Sequence, residues 1–347
     1  MPCHWTIEAA GASHPGQREY NEDSWLADAD DGCFIVADGV GGRDAGEVAS
    51  RIACEVTAAH VRAGDAPGPA LKAANSAILE AIQISGEQAS SMASTAVVLY
   101  LEPDADAFSV AWAGDSRLYL WEGDLREGEL KSLTRDHSLV ESMIRRGEIT
   151  RDEADTHRRK NVILQALGDT RGELTPGENR GGLPQTGLFL LCSDGLSDIL
   201  DADALCGILS RDTDSLQVRA DDLVQTAVDA GGRDNITALL VSCQYTGESP
   251  QAQNTAKGPV VYESYDPVSG ERRRDLAVDR AAPTIRWVPA RSEVTGSLGD
   301  NADGASPQAL SGRPASPRRW RWRWWLAAVA LLAGVLLVVD LVSRQGL

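Results

Sequence analysis

The stretch Phe34-Ile35-Val36-Ala37-Asp38-Gly39-Val40-Gly41-Gly42 constrains this chain more than any other. Four apolar residues in a row describe a short strand buried on both faces. The run stops on an aspartate followed by glycines, which turn the backbone sharply and leave a carbonyl open to a ligand. Taken alone, Asp-Gly after a strand is a tight turn. Here the pattern recurs. Leu188 to Cys192 runs into Ser193-Asp194-Gly195, and Ser109 to Ala113 runs into Gly114-Asp115-Ser116. Gly231-Gly232-Arg233-Asp234-Asn235 leads into the apolar run Ile236 to Val241. Carboxylates set at the ends of four strands form a ligand set for hard metal ions.

Charge and cysteine usage agree. A formal net charge of -18 over 347 residues argues against a nucleic-acid surface, which needs Lys and Arg for phosphates. Clustered acids suit divalent cations, although a solvated acidic surface explains much of the excess as well. The six cysteines (Cys3, Cys33, Cys54, Cys192, Cys206, Cys243) contain no C-x-x-C pair. That spacing offers neither a zinc site nor a disulfide framework, and points to a reducing cytosol. Met1-Pro2-Cys3-His4 has neither the basic nor the apolar region of a signal peptide.

In chain order, Trp5 to Ala12 reads as a first strand, followed by the polar turn Ser13 to Ser24. Arg18 could fork onto an oxyanion there while Glu22 and Asp23 approach a metal through water; the same residues also fit an ordinary solvated loop. Apolar residues at helical spacing from Ala45 to Ala59, and again from Ala70 to Ile82, predict two helices covering one sheet. Strands are expected at Ala93 to Leu101, Phe108 to Ala113 and Arg117 to Trp121. A helix follows near Ser138 to Arg146, then the charged stretch Glu148 to Lys160, on composition a solvated helix-loop, and a last amphipathic helix around Ala220 to Val228.

R-x-x-N-E-D from Arg18, D-G-x-G-G from Asp38, G-D-S-R from Gly114, S-D-G-L-S-D from Ser193 and R-D-N-I-T from Arg233 occur in that order. This series resembles the metal-dependent protein phosphatases (the PPM family, type 2C), and within them the bacterial branch. The resemblance covers Arg18 to Thr237, about two-thirds of the chain. It implies an α+β four-layer sandwich: two packed antiparallel β-sheets flanked by helices, with a dinuclear Mn²⁺ or Mg²⁺ site at one end. By resemblance Asp38 bridges the two ions, the Gly39 carbonyl completes one, and Asp194 and Asp234 hold the other. Glu22 and Asp23 act through waters, Arg18 binds the phosphate, and Asp115 and Asp198 match a third, weaker metal position. The charged stretch before Lys160 corresponds to a mobile flap. The implied reaction is hydrolysis of phosphoserine or phosphothreonine in proteins by a metal-activated water. Phosphorylated proteins, including those of Hanks-type kinases, are the implied partners.

There are departures. Many eukaryotic relatives carry a histidine directly after Asp-Gly where this chain has Val40, which leaves the leaving-group acid unassigned. The turn from Gly16 to Arg18 is one residue shorter than usual, and neither His14 nor His137 receives a role. Two other readings use the same fold: a phosphatase of an anti-sigma-factor antagonist, and an inactive phosphoprotein-binding scaffold. The complete set Arg18, Asp38, Asp194 and Asp234 argues against the scaffold.

Beyond the expected domain (residues 1–246), the composition of 247–317 is that of a disordered linker. Residues 318–325 alternate Arg and Trp, a basic-aromatic belt beside a membrane. Residues 326–342 read as a single transmembrane helix; with flanking tryptophans the span is about 19 residues, or roughly 28 Å. Four arginines precede the span, at 318, 319, 321 and 323, and one, Arg344, follows it. That bias predicts an inner-membrane protein with its N-terminal part in the cytoplasm.

Overall fold

Alternate residues of each central strand enter different apolar clusters, and this sorts the chain into layers. In the computed structural model Cys33–Ala37 (β3) is buried throughout. Phe34 and Val36 join one cluster, while Cys33, Ile35 and Ala37 join another. Thr186–Cys192 (β11) does the same, with Phe189 and Leu191 in the shared cluster and Leu188, Leu190 and Cys192 on the far side. The structure describes residues 4–41, 45–85, 92–123, 128–211, 215–247, 261–266, 271–275 and 285–286. The chain divides after Arg291, and every described residue lies in the first unit.

Two antiparallel sheets result. The first joins Trp5–His14 (β1), Ile236–Tyr245 (β12), β11, Arg117–Gly123 (β8), Gly128–Ser132 (β9) and Ile285–Arg286 (β15) in that order. The second runs Glu271–Asp275 (β14), Val261–Asp266 (β13), Gly177–Gly182 (β10), Ala107–Ala113 (β7), Ala96–Glu102 (β6), β3 and Ser24–Asp28 (β2). Gly39–Val40 (β4) and Ala93–Ser94 (β5) form a small separate ladder. Helices Ala45–Arg62 (α1) and Pro67–Ser85 (α2) cover the outer face of the second sheet, burying Ala49, Ala53, Leu71 and Ile78 against it. Asp194–Ser197 (α5), Ala202–Leu209 (α6) and Leu216–Asp229 (α7) cover the first. The expected sandwich of two sheets flanked by helices is therefore present.

Leu139–Arg145 (α3) starts at Ser138, whose hydroxyl accepts the Glu141 N–H. Arg151–Asp155 (α4) starts at Thr150 with a reciprocal capping box to Glu153. That short helix lies inside the charged stretch expected as a solvated helix-loop, and the T-x-x-E spacing is its signal. Cys33, Cys54, Cys192, Cys206 and Cys243 are buried free thiols that act as small apolar core groups.

Part of the stretch read as linker is strand. β13 pairs with β10 and with β14, and β15 pairs with β9, so the first unit extends past residue 246. Val261, Tyr262 and Tyr265 are strand formers within an otherwise polar composition, and a free edge at β10 supplies the template. The belt at 318–325 and the span at 326–342 lie outside the described residues. Among the described residues no helix is long and apolar enough to cross a membrane.

Candidate metal centre

Strand register brings the recurring aspartates to one end of the sandwich. Cys192 pairs with Ala238 and His14 with Ile236, so Asp194, Asp234 and the Ser13–Asp23 turn share one end of the first sheet. Val36 and Trp112 both pair with Val97, so Asp38 and Asp115 leave β3 and β7 at the same end of the second. The two ends meet where Asp38 and Asp194 share a carboxyl–carboxyl hydrogen bond.

Each carboxylate is held by its own backbone and neighbours. The Asp38 N–H donates to Thr95 Oγ1 at 3.1 Å, and its carbonyl accepts from Thr95 N at 2.8 Å and Ser94 Oγ at 3.0 Å. Thr95 Oγ1 in turn lies 2.7 Å from Ser116 Oγ, tying Asp38 to the turn that carries Asp115. Asp23 Oδ2 accepts from Ser193 Oγ at 2.8 Å and Thr237 Oγ1 at 2.6 Å. Glu22 accepts the Gly46 N–H at the start of α1. Gly39 is wedged here: a Cβ on it would stand 2.2 Å from the Gly46 carbonyl and 2.6 Å from that of Glu22. Gly16, at φ +61°, would place one 2.0 Å from the Asp234 carbonyl. The shortened Gly16 turn therefore closes, with Arg18 N donating to Pro15 O at 3.0 Å.

Electrostatics make the cluster unfavourable as it stands. Desolvation, with Asp23, Asp194 and Asp115 adding repulsion, pushes Asp38 well above the usual carboxylate range. Desolvation likewise raises Asp115 strongly, Asp194 to about 6 and Asp23 to about 7. For Asp194 the nearby Asp198 adds to the rise, while the hydrogen bond from Asp38 offsets part of it. Glu22 is also raised, again mainly by desolvation. Three buried oxygens, Glu22 Oε1, Asp23 Oδ1 and Asp194 Oδ1, have no hydrogen-bond partner. Orphaned acceptors among like charges are what a cation would relieve. All the donors are oxygens, which suits Mg²⁺ or Mn²⁺ and not zinc. Among the described residues no three His, Cys, Asp or Glu side chains already close into a cage. Hard cations that keep several waters do not require one. The residues fit the group.

Around this centre stand the remaining candidates. Arg18 Nη2 lies 2.9 Å from Asp234 Oδ2, with the Arg18 side chain 58 % exposed, so its guanidinium is at the mouth. Asp198 is paired with Lys160 at 2.9 Å, which brings the end of the charged stretch to the residue just past α5. Val40 is exposed beside Gly39 and carries no proton. His137 is buried, stacked on Trp112, and accepts the Gly114 N–H on Nδ1 at 3.4 Å; burial pulls it down to about 4, so it is a neutral packing group. His14 Nδ1 accepts the Gly16 N–H at 3.0 Å. Sequence reasoning assigned no role to Thr95, Ser116, Ser193, Asn235 or Thr237. Four of them sit inside the motifs that flagged the aspartates, where small hydroxyls and an amide beside a buried acid were the available signal.

Comparison with known proteins bears on the same residues. The family described as Protein phosphatase 2C matches residues 10–230. The serine/threonine protein phosphatase PstP of Mycobacterium tuberculosis is 30% identical over 330 residues, which is 92% of this chain and 58% of that protein. The chain thus spans less than two-thirds of that relative's length. The serine/threonine phosphatase stp of Listeria monocytogenes is 33% identical over 236 residues, 63% of this chain and 87% of that one. A crystal structure of the PstP catalytic domain in complex with two manganese ions superposes with a TM-score of 0.59 at 29% identity, covering 69% of this chain and 99% of that one. The matched segment contains Glu22, Asp23, Asp38, Asp115 and Asp194 and spans more than half of the chain, and on that ground the chain belongs to the protein phosphatase 2C family.

Proposed function

We propose that this chain hydrolyses phosphoserine and phosphothreonine in proteins with Mn²⁺ or Mg²⁺, and does so tethered to the cytoplasmic membrane. One observation carries the reading: buried, unpartnered oxygens of Glu22, Asp23 and Asp194 gathered around Asp38. Asp38, the Gly39 carbonyl, Asp194 and Asp234, with Glu22 and Asp23 through water, would hold the divalent cations, which would supply Lewis acidity and a nucleophile near neutral pH when bound. A third, weaker ion belongs at Asp115 and Asp198. The remaining work falls to side chains of the chain itself. Arg18 presents its fork to the phosphoryl oxygens, and Asp234 holds that fork in orientation. The exposed mouth, with Val40 beside it, admits a protein side chain.

The test uses the full chain. Phosphate release from phosphothreonine peptides is expected with Mn²⁺ and abolished by chelator. Release that is indifferent to chelator, or absent at any metal concentration, would sink the reading.

The tether rests on residues 318–342, whose arginine and tryptophan belt adjoins an uncharged apolar span. The domain organisation follows: a phosphatase domain, a connecting stretch that contributes edge strands, a basic-aromatic belt and a membrane helix. Substrates on the same face of the membrane, including those of Hanks-type kinases, suit such an arrangement. The relatives named above as serine/threonine phosphatases support that substrate class.

A further inference from the structure

Asn235 joins segments more than two hundred positions apart in the chain. It is 4% exposed, and its side-chain amide spends its hydrogen atoms and oxygen on a single loop. Nδ2 donates to Pro15 O at 3.1 Å and to Tyr20 O at 2.9 Å, and Oδ1 accepts the Glu22 N–H at 2.8 Å. That loop carries Arg18, Glu22 and Asp23. The orientation of the amide is determined by its partners, since turning it over would set an oxygen against two carbonyls. The backbone of the same residue faces the other side of the centre. Its N–H donates to Asp234 Oδ1 at 2.9 Å, and its carbonyl lies so close to Gly195 that a Cβ there would stand 2.0 Å away. Asp194 and Asp234 are thus fixed to the same residue that fixes the Arg18 loop.

We propose that Asn235 is the positioning residue of the centre, an amide clamp that sets the Arg18–Asp23 loop in register with Asp194 and Asp234. It touches neither substrate nor reacting atoms. Without it the loop keeps its backbone turn at Pro15, the Asn21 bond to Ser13, the Ser50 bond to the Glu22 carbonyl, the Arg18–Asp234 pair and the Asp23 bonds to Ser193 and Thr237, but no side chain spans Pro15, Tyr20 and Glu22 together. A hydrophobic residue at this position would leave the Tyr20 carbonyl and the Glu22 N–H without their partner and the Pro15 carbonyl with only its turn bond from Arg18, and the loop would shift to find water. Arg18 and Glu22 would move with it. Removing such an outer partner of a metal site typically costs about 10–100-fold in affinity or activity. The effect on turnover rests on the phosphatase reading; the effects on loop order and ion affinity do not.

The experiment compares wild type with Asn235→Ala and Asn235→Asp by hydrogen exchange, by Mn²⁺ titration and by kinetics on a phosphothreonine peptide. In Asn235→Ala, amides from Gln17 to Asp23 are expected to exchange at least about tenfold faster, while those of Leu239 to Val241 keep their protection. Mn²⁺ should bind at least about tenfold more weakly, with kcat lowered and KM raised, because Arg18 sits on the freed loop. Asn235→Asp keeps an acceptor for Glu22 but turns an oxygen toward Pro15 and Tyr20, and should show the same pattern. A residue that only supports the fold would lower Tm and leave Mn²⁺ affinity alone. Loop exchange and Mn²⁺ affinity both within about twofold of wild type would overturn the proposal. Should neither variant fold, wild type still decides. The Glu22 amide, bonded to Asn235 Oδ1, must then exchange as slowly as a strand amide, and exchange at a free-loop rate refutes the clamp. A protein that binds Mn²⁺ and shows the clamp yet releases no phosphate would fail the phosphatase reading and not this one.

Discussion

At the scale of single residues, the metal centre sets the pH behaviour of the protein. Asp23 and Asp194 have folded-state values near 7 and 6, against 3.8 for an ordinary aspartate, and Asp38 is raised further. A carboxyl raised on folding contributes stability that is complete below the unfolded value and is lost as pH rises through the folded one. In chelator, this contribution therefore declines between about pH 4 and 7. His137 runs the other way: its value falls from 6.5 to about 4, so its contribution is lost as pH drops through that range. Asp38→Asn separates the two. At pH 7.5 without metal the variant should melt above wild type by a margin of about 2–4 °C for each kcal/mol of repulsion relieved. The margin should shrink at pH 5, and Mn²⁺ should reverse it, since only wild type gains full ligand stabilisation. Thermal melts at both pH values, with and without Mn²⁺, measure this; a margin equal at both would mean the acids do not repel as placed. Arg18 gives a second prediction. Arg18→Lys keeps the charge and loses the fork, so KM for a phosphopeptide should rise about tenfold, near the worth of one charge-assisted hydrogen bond of about 1.5 kcal/mol. An unchanged KM would place Arg18 among the solvated loop residues.

At the scale of elements, the stretch from α3 to Lys160 is fastened by ion pairs at two places. Its root is the buried Glu141, which faces Arg135 at 3.8 Å and Arg151 of α4 at 3.4 Å. Its far end is the Lys160–Asp198 pair, with both side chains more than a third exposed. Exposed pairs are worth about 0.2–1 kcal/mol, so the far end is the weaker fastening. Lys160→Met should raise the rate of tryptic cleavage after Arg158 or Arg159 by up to about fivefold, with the global melting temperature unchanged. Limited proteolysis with mass identification reads this directly. Glu141→Gln, which removes the charge at the root, should loosen α4 as well and expose Arg151 to cleavage.

At the scale of the whole molecule, the question is where the chain sits. The arginine bias around residues 326–342 predicts that the domain faces the cytoplasm. Tagged at each end, the full chain should fractionate with membranes. Protease added to intact spheroplasts should spare the N-terminal tag and remove the C-terminal one. The reverse pattern would overturn the orientation, and a fully soluble chain would mean that the apolar span is not a membrane helix.

The amino-acid sequence by itself determined the parts whose information is local. Apolar runs ending at Asp38, Asp115 and Asp194 located the strands and the acids, because burial on both faces of a strand demands an unbroken apolar run. Helical spacing located α1, α2 and α7 for the same kind of reason. The ordered motifs identified the family. Only the tertiary structure decided what depends on register between distant segments. It showed that Asn235 spans Pro15, Tyr20 and Glu22, and that Ser193 and Thr237 share Asp23. It also showed that Val261–Asp266 adds to the edge at β10, although its surroundings read as linker. Composition averages over a window and cannot register an edge strand whose partner is supplied from elsewhere in the chain. A hydrogen bond between residues two hundred positions apart leaves no period in the sequence, because it is the pairing of β1 with β12 that brings its ends together.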